Sequence, residues 1–234
     1  MDPSRYALVQ GLTDTRSTLE RWRLAPWSAL RPWLAGALAV CFGLLLATWV
    51  VARSSTPDIS GLAPRGVVVP GTLEDVGHIL FRNSLVLALH GFACIAGFIA
   101  GSSLPLQADQ HAGWKRTLHD RAGRGAILFV IAATTFSLCT QAYVLGAMSS
   151  TLAYQQHIPI ALLLIGLSLH AVPELVALFL PLAAWIIASR QDRWHELLAA
   201  TFVTVALAIP VLIAAAFIEV YISPHIILAL SGSG

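Results

Sequence analysis

The chain has 234 residues, of which 57% are hydrophobic and only 11% charged, with a mean hydropathy of +0.75; this composition excludes an ordinary soluble domain. The net charge is +2, and the basic residues are modest in number and distributed as a membrane topology demands, so nothing favours nucleic-acid binding. The expected fold class is all-α: a polytopic membrane helix bundle of about five transmembrane helices, with the lipid bilayer as its first partner.

Residues 1–32 mix arginines with Leu19, Trp22, Leu24, Trp27 and Leu30, a pattern suited to a basic, amphipathic leader at the cytoplasmic membrane face, interrupted by Pro26 and Pro32. A transmembrane helical domain is expected over 33–230, with Ser231-Gly232-Ser233-Gly234 as an appended linker. Its apolar stretches cover 33–52, 85–106, 126–148, 158–188 and 197–222, matching the ~20 residues a spanning helix needs. The first is read as a retained anchor, since it has no short apolar region followed by a small-residue cleavage site. In the loop 53–82, Gly66-Val67-Val68-Val69-Pro70 suits a short extended segment. Thr72, with Asp75 three residues on, suits the N-cap of an interfacial helix leading into the second crossing.

Basic residues cluster in alternate segments: Arg5, Arg16, Arg21, Arg23 and Arg31 before the first crossing, Lys115, Arg116, Arg121 and Arg124 after the second, Arg190 and Arg193 after the fourth. Five crossings of a bacterial inner membrane, with the N-terminus cytoplasmic and the C-terminus extracytoplasmic, put all three segments inside. The fourth stretch exceeds the bilayer thickness and contains Pro159, Pro173 and Pro181. It is expected to cross once as a long, tilted, kinked or broken helix. Cys41, Cys94 and Cys139 fall inside apolar stretches, so no disulfide is indicated.

The fourth stretch carries the chain's most informative polar group. Glu174 follows Pro173 directly and His170 by four residues, and a carboxylate near the bilayer centre costs at least about 2.5 kcal/mol on insertion scales. Counting ~1.5 Å per residue from Ile158 puts His170 about 18 Å deep, with His90 of the second stretch at a comparable depth. His90, His170 and Glu174 therefore suit three roles: structural hydrogen bonding within a broken helix, a proton or ion pathway, or ligation of a divalent metal. Glu219 lies higher, near the extracytoplasmic end of the last crossing, on the side where Arg82 and Asn83 enter the second; a salt bridge or charge-assisted hydrogen bond is expected there, with snorkelling as the alternative for Arg82. Gly97 and Gly101 form a GxxxG spacing that serves intramolecular packing or a homodimer. No complete catalytic motif is present. His195-Glu196-Leu197-Leu198-Ala199 begins like HExxH but has Ala199 in place of the second histidine. The chain is expected to be non-enzymatic and to need no cofactor.

Two segments carry a family resemblance: His170-Ala171-Val172-Pro173-Glu174-Leu175, and Ala215-Ala216-Phe217-Ile218-Glu219-Val220-Tyr221-Ile222-Ser223-Pro224. With the Arg82-Asn83 helix entrance they resemble the stage II sporulation protein M family over about residues 75–225, differing in Ala171, where that family usually has glycine, and in a compact loop before the last crossing. The resemblance implies a membrane anchor or scaffold in cell-envelope or peptidoglycan remodelling, with cell-wall hydrolases as partners. The competing expectation is a transporter or channel that uses the buried His and Glu groups for proton or ion passage.

Overall fold

A computed structural model describes residues 7–60, 71–103 and 114–232, with the backbone alone in 7–10, 103 and 114–124. The helices are α1 (Ala7–Leu24), α2 (Pro26–Ser54), α3 (Leu73–Phe98, prolonged by a π turn Ile99–Ser103), α4 (Trp114–Gln156), α5 (Ile160–Arg190), α6 (Leu197–Phe217) and α7 (Ser223–Gly232). A short 3-10 turn, Trp194–Glu196, precedes α6, and a π turn, Ile218–Ile222, joins α6 to α7. No strand occurs among the described residues. The extended segment expected at Gly66–Pro70 lies outside them.

Five helical stretches are long and apolar enough to cross a membrane: Pro26–Ser54, Leu73–Ser102, Gly125–Gln156, Ile160–Arg190 and Trp194–Gly232. The chain is thus a multi-pass helical membrane protein. Its hub is α5, which is apolar all round and packs against α2, α3, α6 and α7. Leu178, Phe179, Leu182, Ala183 and Ala184 of α5 form the middle of the main core with Ala37 and Cys41 of α2 and Cys94 of α3.

Several boundaries differ from the sequence expectations. Pro26 opens α2 instead of interrupting a leader helix, because at the first helical position its missing N–H costs nothing. Residues 26–32 therefore belong to the first crossing, and Pro32 lies inside α2. The capping box at Thr72 is present, with Thr72 Oγ1 accepting from Asp75 N–H at 3.2 Å and Asp75 Oδ2 accepting from Thr72 N–H at 2.8 Å. It starts α3 itself, which runs unbroken from Leu73 into the crossing. At the far end, α7 continues through Ser231, which is buried, to Gly232.

The fourth crossing is the long helix expected, and of the tilted, kinked and broken alternatives the broken one does not occur. Although Pro173 and Pro181 lie within it, α5 is continuous from Ile160 to Arg190. Proline in a spanning helix is tolerated where neighbouring side chains satisfy the backbone groups it frees. Side chains of α3 bond to the backbone of α5 next to Pro181: His90 Nδ1–H donates to Leu178 O at 2.9 Å, and Cys94 Sγ–H donates to Pro181 O at 3.1 Å. His90 is fully buried, edge-on to Phe179 at 5.6 Å.

Between α4 and α5 the chain turns at His157, whose φ of 55° is left-handed. His157 N–H bonds to Tyr154 O at 3.2 Å and Ile158 N–H to Ala153 O at 3.1 Å, the paired bonds of a Schellman cap. A non-glycine residue there bears about 1 kcal/mol of strain. His157→Gly is therefore expected to leave the thermal midpoint of the detergent-solubilised protein unchanged or raise it by a few degrees.

At the end of the bundle where α5 finishes, α1 is tied down by a buried carboxylate. Glu196 accepts from Arg21 at 3.3 Å and from Arg193 at 3.2 Å, while Arg21 also donates to Thr18 Oγ1 at 3.0 Å. Trp22 meets Trp33 edge-on at 4.9 Å. Half of the abortive HExxH sequence thus serves as an anchor for α1. Because Arg21 is largely exposed, Arg21→Ala should cost at most about 1 kcal/mol, read as earlier proteolysis or faster amide exchange confined to α1.

Candidate functional site

The candidate site forms where α3, α5 and the α6–α7 junction meet. In a continuous α5, His170 and Glu174 stand at i, i+4 and share a face. Glu219 lies in the π turn Ile218–Ile222, and Ser223 follows at the start of α7. Pro224 has no N–H to give Val220, which favours the wider turn just before it. The result is convergence: one ligand atom each of His170, Glu174 and Glu219 lie within 4.8 Å of one another.

His170 is oriented by the junction. Its Nδ1 is 2.7 Å from Ser223 Oγ, and the Ser223 hydroxyl donates to Ile218 O at 3.2 Å. The Ile218 carbonyl can only accept, so the serine proton goes there and His170 Nδ1–H donates to Ser223 Oγ. That chain of donors leaves His170 Nε2 with its lone pair free.

From α3, Asn83 faces Glu174. It is buried, at 9% exposure, and its amide is the polar group of α3 that interacts with the Glu174 carboxylate. Arg82, exposed on the outer side of α3, lies within electrostatic reach of both carboxylates. The side-chain ion pairs of 4.0 Å or less among the described residues join other groups. Among the described residues neither Glu219 nor Glu174 makes a contact ion pair, and Arg82 acts on both at longer range.

Two sequence expectations about this site are corrected. His90 is not beside His170; it is committed to Leu178 of α5. Nor does Glu219 sit at a different level from Glu174. The last crossing continues through α7 to Gly232, so Glu219 lies well inside it. At ~1.5 Å per residue, Glu174 is about 21 Å from the start of α5 and Glu219 about 20 Å from the end of α7. Those two ends lie together, since an added Cβ on Gly166 would stand 2.8 Å from Leu230 Cδ1.

Gly97 and Gly101 are used within the chain. A Cβ on Gly97 would stand 2.6 Å from Trp185 Nε1 and 2.8 Å from Leu197 Cδ1, and one on Gly101 would overlap the Trp194 indole. Trp185, Trp194 and Ser223 escaped the sequence reading. For Ser223 the Ser-Pro dipeptide inside a helical pattern was the available signal; for the tryptophans nothing in their spacing marks the partner.

Among known proteins, no family model matches the chain, and neither a curated protein nor a solved structure is significantly similar to it.

Proposed function

We propose that this protein is a non-enzymatic scaffold or interaction subunit of a bacterial inner membrane, with its N-terminus cytoplasmic and its C-terminus extracytoplasmic. It would act in envelope or peptidoglycan remodelling, as its resemblance to the stage II sporulation protein M family implies. The observation that supports this reading is the meeting of the residues that carry the resemblance: His170 and Glu174 from one segment and Glu219 from the other lie within 4.8 Å, with Asn83 beside them. They form a polar latch that holds α3, α5 and α6–α7 in one arrangement. A buried polar network rigidifies a bundle when its members are satisfied, and a fixed bundle is what a scaffold presents to partners.

Copurification tests the role. After in vivo cross-linking, the wild-type chain should enrich cell-wall hydrolases from its own host, and Glu174→Leu should lose them. Equal recovery of those hydrolases with both chains, or with neither, would count against the scaffold reading.

Orientation follows from labelling in a background with Cys41, Cys94 and Cys139 replaced by alanine. A cysteine at Gln110 should react with an impermeant thiol reagent only after permeabilisation, and one at Gly232 should react in intact cells. Reaction of both from the same side would contradict five crossings.

A second reading has a specific observation behind it. Two half-buried carboxylates beside a histidine also suit proton relay or ion passage through the bundle. Proton or cation flux in proteoliposomes that disappears in Glu174→Gln would favour transport over scaffolding.

A further inference from the structure

The geometry points to a divalent transition-metal ion bound by His170, Glu174 and Glu219, closing the latch; this rests on the latch reading above and adds the ligand that completes it. Three features carry it. The donor set comes from two elements, adjacent turns of α5 and the α6–α7 junction, and its ligand atoms already lie within 4.8 Å, so small side-chain adjustments bring them around one ion. His170 is fixed through Nδ1 to Ser223 and onward to Ile218 O, which is the way a metal-binding imidazole is commonly oriented by its second nitrogen. Asn83, nine-tenths buried, turns its side-chain amide to Glu174 as a hydrogen-bonding neighbour. A carboxylate drawn onto an ion presents its other oxygen to that amide, and the amide turned over offers Oδ1 as a fourth, neutral ligand.

The electrostatics agree. Two carboxylates this close in apolar surroundings repel, and Arg82 supplies one distant positive charge where two negative ones converge. A dication placed between the carboxylates removes the repulsion directly. One imidazole with two carboxylates suits Zn²⁺, Mn²⁺ or Fe²⁺, since the imidazole favours a transition ion and the oxygens tolerate a hard one. His90 takes no part.

The test uses the full chain in detergent, freed of its affinity tag, stripped with a chelator and then incubated with Zn²⁺ or Mn²⁺ and desalted. Metal content and thermal midpoint are measured on the same samples. Wild type should retain about one ion per chain and melt higher with metal than without. The double variant Glu174→Gln/Glu219→Gln keeps size and hydrogen-bonding capacity, so it should still melt cooperatively yet retain no ion. Asn83→Ala should bind about 10–100-fold more weakly; unchanged affinity there would remove Asn83 from the site. Folded wild type that retains no more metal than the double variant would overturn the proposal. The latch reading fails separately: it is wrong if Glu174→Leu melts like stripped wild type, whatever the metal content.

Discussion

Glu174→Leu should lower the unfolding free energy of the detergent-solubilised protein by about 1–3 kcal/mol, the cost of stranding buried polar partners. Leucine suits hydrocarbon, so transfer into the bilayer is not what makes the change costly. The cost arises because buried Asn83 loses the carboxylate it hydrogen-bonds, while His170 stays pinned to Ser223 beside an apolar side chain. Glu174→Gln keeps an amide in that place and should cost less. Glu219→Gln should also be milder than Glu174→Leu, for the same reason. Thermal midpoints of the three variants, measured side by side, check the order; wild-type behaviour in Glu174→Leu would reduce that residue to an incidental acid.

A comparable loss is expected from Gly101→Leu, which drives a side chain into the Trp194 indole, and from Gly97→Leu, whose first carbon would meet Trp185 and Leu197. Overpacking of this kind typically costs about 1–3 kcal/mol, and here backbone approach between α3 and the turn before α6 leaves little room to yield. Gly43→Leu is the matched control, because nothing lies within 4 Å of a Cβ added there; it should melt like wild type. If Gly97 and Gly101 instead serve a homodimer, both leucine variants will keep their midpoints and change only the oligomeric mass.

Much of the architecture was legible from hydropathy, because spanning helices satisfy their own backbone and so announce themselves by length and apolarity. Junctions were less legible, for a physical reason. Pro26 starts a helix, Pro32 lies inside that same helix, and Pro173, Pro181 and Pro210 lie inside others, and which occurs depends on the tertiary packing around each proline and not on the residue itself. Likewise Ser223-Pro224 reads as the end of a crossing, yet the helix absorbs the missing donor as a π turn and continues to Gly232. That continuation explains why the sequence separated Glu174 from Glu219 in depth. His170 and Glu174 were readable as a pair from their spacing alone, whereas their union with Glu219 depends on the antiparallel register of α5 and α7, which no local pattern encodes.

The central claim is that His170, Glu174 and Glu219 form one coupled centre. A double-mutant cycle on Glu174→Gln and Glu219→Gln, read as unfolding free energy in metal-free detergent solution, tests it most directly. Groups in one network show interaction energies of about 0.5–3 kcal/mol of either sign, and that is the expected result. Additivity within about 0.3–0.5 kcal/mol, the behaviour of independent sites, would contradict the account.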